Sequence, residues 1–263
     1  MQFKDKVVWI TGASSGIGEH LAYAFAGQGA HLILSSRNER ELERVKGNCP
    51  DGAKILVLPM DVADFDSIPG KARQAFGWFG AVHILVNNAG ISQRSAVKDT
   101  QFEVDKKIIE VNFLGAVALS KAVLPAMLRQ GGGQVVVISS VMGKLGTPRR
   151  SAYAASKHAL HGYFDCLRAE LHDKGIKVSI ICPGYVHTNV TINALTADGS
   201  PNNKMAEATR NGLAPEVFAE KALRAIAREK EEALIGGKEI LGVYIKRFFP
   251  GLFSRIARGM KVS

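Results

Sequence analysis

"KVVWITGASSGIG", residues 6–18, decides the fold. Val7 to Ile10 run without the polar alternation of a half-exposed strand, so both faces of this segment are expected to be buried. Gly12, Gly16 and Gly18 then punctuate a turn, and "EHLAYAFAGQG" continues with helical spacing to a terminal glycine. A buried strand that passes through glycines into a helix is the opening of a β-α-β unit.

The same alternation recurs along the chain. "HLILSSR", "KILVLPMDV", "VHILVNNAG", "GQVVVISS", "KVSIICPG" and "EALIGG" read as further strands. Between them lie helical segments, among them "ERELERVKG", one ending near Phe76, a long one over 103–129 in which Pro125 bends the last turn, and one over 152–173. Strands apolar on both faces, joined by helices, predict right-handed crossovers. The expected fold is α/β: a doubly wound parallel sheet of about seven strands with helices on both faces, the Rossmann arrangement, as one domain over 1–263. Residues 188–215 break the rhythm with "TADGSPNNK", and an irregular stretch of that length is expected to be a lid over a binding site.

Composition bounds the function. The 263 residues are 46% hydrophobic and 22% charged, enough for a large core and against disorder. Cys49, Cys166 and Cys182 form no CxxC and no Cys/His cluster, so reduced thiols, no disulfide and no metal are expected. His158 and His161 share a helix face but lack a third ligand in sequence, which favours structural roles. The opening "MQFKDKVVWITG" enters a strand at once, leaving no expected signal peptide, and no apolar run suggests a membrane span. A cytoplasmic protein is expected, with attachment to a membrane surface as the alternative.

The net charge is +10, but its Lys and Arg are scattered, which argues against nucleic acid. The exception is 238–263, where Lys238, Lys246, Arg247, Arg255, Arg258 and Lys261 accompany "FFPGLF" and Ile256. This basic and apolar segment either touches a membrane surface or packs on its own domain or a neighbouring subunit.

The glycine turn implies a ligand. Gly12, Gly16 and Gly18 let backbone approach a pyrophosphate, and the following helix offers amide donors and its dipole; Ser14, Ser15 and Ile17 belong to the same cradle. The second strand ends in Ser36 and Arg37 with no carboxylate, so a ribose 2′-phosphate is tolerated and a guanidinium is at hand. NADP(H) is therefore expected over NAD(H), although Ser15 is neutral where a second base would help.

Tyr153 and Lys157, in "SAYAASKHAL", stand one helical turn apart and face one site. An ammonium beside a phenol favours its ionised form, which turns a poor base into a usable proton carrier. TGASSGIG, the NNAG of 87–90, Tyr153-x-x-x-Lys157 and "PGYVHT" resemble, in order and spacing, the single-domain short-chain dehydrogenase/reductase family over essentially the whole chain. "SAYAASKHAL", "FDCLRAE" and "NALTADGS" are similar to its subgroup around dehydrogenase/reductase family member 7B.

The resemblance implies site residues. Ser140, thirteen before the tyrosine, would hold the substrate oxygen, with Ser139 a near rival facing the cofactor. Asn112 in "EVNFLG" would order a water leading to Lys157, which would also bond the nicotinamide ribose. Asn88 would brace the sheet, while Ala89 and Gly90 line the cofactor. Asp61, followed by Val62, would bond the adenine amine, or else cap a helix. Pro183, Gly184, Val186 and Thr188 would hold the nicotinamide. Met142, Leu145 and Tyr185, with Ser140 and Tyr153, would bound the substrate pocket. The implied activity is carbonyl reduction or alcohol oxidation on an apolar steroid, retinoid or fatty carbonyl. A 3-oxoacyl thioester on an acidic carrier or coenzyme A is the alternative substrate, and a non-catalytic cofactor sensor or scaffold the alternative class. A homodimer or homotetramer through the long helices is also implied.

Overall fold

The computed structural model describes residues 2–260. Seven strands form one sheet in the order β3-β2-β1-β4-β5-β6-β7, all parallel. They are β1 (Val7–Thr11), β2 (His31–Ser35), β3 (Ile55–Val57), β4 (Ile84–Asn87), β5 (Gly133–Ile138), β6 (Ile176–Pro183) and β7 (Glu232–Ile235). β3 is much shorter than "KILVLPMDV" suggests, because an edge strand pairs on one side only.

Ten helices accompany the sheet: α1 (Gly16–Gly27), α2 (Glu39–Gly47), α3 (Ile68–Phe79), α4 (Phe102–Ile109), α5 (Gly115–Arg129), α6 (Ser151–Leu171), α7 (Glu207–Arg210), α8 (Pro215–Ala227), α9 (Ile240–Phe248) and α10 (Pro250–Gly259). Strand periodicity splits the core in two. Val8 and Ile10 join Leu21, Phe25, Phe218 and Ile226 on one face of the sheet. Val7 and Trp9 join Leu85, Leu119, Val123 and Phe164 on the other. A third apolar cluster lies outside the sheet, where Val243 of α9 and Phe253 of α10 meet Val141, Met142 and Leu145.

The expected helix over 103–129 is α4 and α5 joined by a wide π turn at Glu110–Leu114. Pro125 lies inside α5, which runs on to Arg129. By length and composition, Phe102–Arg129 could cross a bilayer, contrary to the sequence expectation. Leu119, Val123 and Met127 instead bury one side of it against the sheet.

The strand order reverses beside β1, where β2 leads one way and β4 the other. The crevice at such a switch point, at the carboxyl ends of the strands, is where doubly wound sheets bind ligands. The segment 188–215 crosses this end of the sheet; Leu195 bridges to Gln93, and Leu213 to Val186.

Candidate active site

Gly12 and Gly16 both adopt positive φ, at 64° and 56°, which a side chain would strain. A Cβ at Gly18 would overlap the Gly12 carbonyl oxygen. Ser15, the N-cap of α1, is extended and makes no side-chain capping bond, so the first-turn amides face the turn of Ser14, Ser15, Gly16 and Ile17. This cradle of bare backbone fits a dinucleotide pyrophosphate.

Thr11 and Asn88 hold the cradle against β4. The Thr11 hydroxyl accepts from the amides of Asn88 and Ala89, each at 3.1 Å. The Asn88 amide donates to the carbonyls of Thr11 (2.9 Å) and Gly12 (3.1 Å). Thr188 lies across the turn, its side chain 3.1 Å from where a Cβ on Gly16 would stand. Beyond β2, Ser36 and an exposed Arg37 close the other end; the Arg37 guanidinium is 4.0 Å from the Asp61 carboxylate. Asp61 accepts from the Ala63 amide at 2.9 Å in a local turn and caps no helix, since α3 begins only at Ile68 after Ser67. Val62 is buried beside Gly115.

Ser140, Tyr153 and Lys157 come together from the end of β5 and the start of α6. Ser140 caps the short turn Val141–Gly143, accepting from the Met142 amide at 3.1 Å and donating to the Pro183 carbonyl at 3.5 Å. Its hydroxyl lines the same cavity as Tyr153 and acts on the phenol in favour of its ionised form. The Lys157 ammonium is buried and donates to the Ile138 carbonyl at 2.8 Å, with its nitrogen 5.8 Å from the centre of the Tyr153 ring. Gly90 leaves room beside it, since a Cβ there would stand 3.6 Å from the ammonium and 3.3 Å from Asn112.

Electrostatics differ from the expected pair. Burial pushes the Tyr153 hydroxyl above the usual phenol range, against the pull of the Ser140 hydroxyl and the Arg150 and Arg94 charges. Burial also pushes Lys157 down to about 8, with a weaker opposing influence from Cys182. The phenol is thus held as a proton donor, and the ammonium sits at the edge of losing its charge near neutral pH.

Asn112 sits in the π turn. Its side chain brackets Ile91, accepting from the amide at 2.8 Å and donating to the carbonyl at 2.9 Å, and donates to the Ser156 hydroxyl at 3.0 Å. Wide turns of this kind recur at functional sites because they re-aim a side chain. Ser139 does not face the cofactor cradle as expected. Its hydroxyl bonds the Lys157 carbonyl at 3.3 Å and His161 at 3.1 Å, beneath α6.

A cavity of about 300 Å³ opens beside Ser140 and Tyr153. Met142, Leu145, Tyr185, Val190 and Phe253 give it apolar walls.

A family model described as short chain dehydrogenase matches residues 6–198. A Bos taurus protein, dehydrogenase/reductase SDR family member 7B, is 44% identical over 96% of this chain and 80% of its own length. The chain belongs to the short-chain dehydrogenase/reductase family. Within that family it falls in the subgroup around member 7B. A Drosophila melanogaster protein named SDR family protein 7-like is 42% identical over 96% of this chain and 79% of its own. Among solved structures, a family member from Burkholderia phymatum in complex with NAD superposes with a TM-score of 0.84, at 26% identity over 96% of both chains. An alcohol dehydrogenase from Thermococcus sibiricus, complexed with 5-hydroxy-NADP, gives 0.76 at 27% identity over 89% of this chain and 97% of that one. The protein is therefore an oxidoreductase whose fold binds a nicotinamide dinucleotide.

Three parts of this family site escaped the sequence reading. Arg94 is buried at 4% exposure, and none of its guanidinium nitrogens finds a partner among the described residues. Burial and the neighbouring Arg150 charge push it down to about 10. Only the fold shows this, because the loop carrying Arg94 pairs with Leu195, about a hundred residues away. Glu239 accepts from the Tyr185 amide at 2.8 Å and the Gly237 amide at 2.9 Å, anchoring the cavity wall to the start of α9. Finally, His161, Cys182 and Glu232 bring donor atoms within 4.8 Å of one another. The Lys144 ammonium, 2.5 Å from Glu232, and the His161 ring hold that carboxyl down at about 2, so the cluster reads as an ion-paired brace. His158 is not part of this group, and Cys182 is, against the expectation of no Cys/His cluster; β6 and β7 bring Cys182 and Glu232 from 21 and 71 residues beyond His161, which spacing in the sequence does not reveal.

Proposed function

We infer that the protein is an NADP(H)-dependent reductase that converts an apolar ketone or aldehyde to its alcohol. The observation that carries this reading is the meeting of Ser140 and Tyr153, with Lys157 beneath the phenol ring, beside an apolar cavity. A bound nicotinamide supplies the hydride. Ser140 orients the substrate oxygen and polarises it. Tyr153 gives its proton to that oxygen as the negative charge develops there. The Lys157 ammonium then stabilises the phenolate left behind. Asn112 and Gly90 keep space and polarity beside Lys157. The segment 188–215 covers the cavity through Val190, Thr191 and Thr209.

Exposed Arg37, held only by a 4.0 Å contact, supports a 2′-phosphate preference. The native protein should oxidise NADPH with long-chain ketones. Arg37→Asp is expected to lower NADPH preference over NADH by about 10- to 100-fold, the loss of a charge-assisted phosphate contact. Unchanged kcat/KM ratios for the two cofactors would remove the assignment.

A specific observation favours an anionic group on the substrate, as in a 3-oxoacyl coenzyme A thioester. Arg150 lines the cavity, and Arg94 lies within electrostatic range of both Tyr153 and Tyr185. A buried cation without a partner is costly and is retained where it meets a charged ligand. Arg94→Met is expected to raise KM for a negatively charged ketone by at least about tenfold, leave a neutral ketone unaffected, and raise the melting temperature. Equal KM changes for the two ketones would leave Arg94 a packing residue. Dimers or tetramers are proposed through α4–α5 and α6, where Phe102, Leu114 and Leu128 lie exposed on the first of these.

A further inference from the structure

The hairpin α9–α10 has two apolar sides. Val243 and Phe253 face inward, onto the third core cluster. Leu241, Tyr244 and Phe248, spaced three and four apart, form an outward stripe on α9, and Leu252 and Ile256 continue it on α10. Phe248 and Phe249 are 68% and 63% exposed, an arrangement that water alone does not favour. Lys238, Arg247, Arg255 and Arg258 flank the stripe and form no salt bridge among the described residues, while the Lys246 ammonium lies over the inward-facing Phe253 ring, 5.8 Å from its centre. The one acid in the hairpin segment, Glu239, is already committed to backbone amides. Lys261, which extends the basic series, lies outside the described residues.

The cavity reaches the same surface. Leu241, Ile256 and Met260 line it and are also exposed on the outside. Apolar side chains exposed on the hairpin thus also form part of the wall of the cavity that holds Tyr153.

We propose that the outer face of α9–α10 docks on an anionic lipid bilayer, with its aromatic and aliphatic side chains in the headgroup–acyl boundary, and that the cavity draws its substrate from that boundary. The charge complementarity selects the occupant: an apolar stripe flanked by four cations that have no ion-pair partner among the described residues suits anionic lipid, whereas a second copy would bring the same cations face to face. The docking stands on the surface alone. The supply of substrate rests on the catalytic reading above.

Flotation of the full chain with vesicles tests it. The native protein is expected to float with phosphatidylcholine vesicles containing phosphatidylserine, and to do so less as salt is raised. It should float poorly with phosphatidylcholine alone. Phe248→Ser with Phe249→Ser is expected to lower vesicle affinity at least tenfold, by about the transfer of two aromatic side chains. Neither residue lines the cavity, so turnover of a short water-soluble ketone should persist in that variant and serve as the check that it is folded. Turnover of a ketone embedded in the vesicles should fall with binding. Equal flotation of native and variant protein overturns the docking face. So does a native protein that never floats but whose subunit assembly dissociates in the double variant, because the face is then a contact between copies. Flotation without any ketone turnover upholds the docking and removes the catalytic reading instead.

Discussion

Tyr153→Phe is expected to lower kcat by about a thousandfold, the upper range for loss of a positioned proton donor. The ring volume is kept, so the apolar wall at the mouth of the cavity keeps its shape. Ser140 keeps its bonds to the Met142 amide and the Pro183 carbonyl, so its orientation survives. The glycine cradle lies at the far end of the site and does not involve the phenol. NADPH binding, read by protein fluorescence or calorimetry, should therefore stay within a few-fold of native. Full activity in this variant would falsify the assignment of the proton donor.

Lys157→Met is the second large effect, and it acts on rate and stability in opposite directions. Without the ammonium, the phenolate formed as Tyr153 gives up its proton has no adjacent cation. A loss of about a hundredfold or more is expected, as for removal of one preorganised charge-stabilising group. Stability moves the other way. The Lys157 pKa lies near 8 in the folded protein, below the ordinary 10.5. The unfolded chain therefore binds more protons between pH 8 and 10.5, and native stability rises with pH across that window. Below pH 8 the full cost is present, on the order of 3 kcal/mol. Methionine removes it but leaves the Ile138 carbonyl unpaired, which returns about 1 kcal/mol. The variant should melt higher than the native protein at pH 7, and the difference should shrink toward pH 10. In the native enzyme, kcat/KM for reduction should fall as pH rises past about 8, where the ammonium is lost. A profile flat to pH 10 would show that this charge does not assist the reaction.

Local sequence carried much of the architecture. The strand–glycine–helix unit at 6–18 was legible because positive φ at Gly12 and Gly16 is a requirement of backbone sterics. The strands were legible because parallel sheets bury both faces, and Tyr153 and Lys157 because one helical turn separates them. The wide turn at Glu110–Leu114 was not, since the residues there are ordinary helix formers and only the bonds of Asn112 to Ile91 explain it. Ser139 and Ser140 are neighbours of the same type, and only the extended chain that leaves β5 sends them to opposite sides. Arg94 read as one basic residue among many until the loop that carries it folded against 195. Tyr153 was expected to be drawn down by Lys157; burial, which no spacing reveals, instead raises it, and the groups that oppose it are Ser140, Arg150 and Arg94.

One small contact constrains how this chain can change over generations. A side chain at Gly184 would overlap the Glu239 carboxylate, and one at Gly236 would press on the same group. The carboxylate could swing away, but it would then abandon the amides of Tyr185 and Gly237. These three positions are thus a single inherited unit: a lineage that alters either glycine must find another acceptor for both amides, or else loosen the cavity wall that they hold.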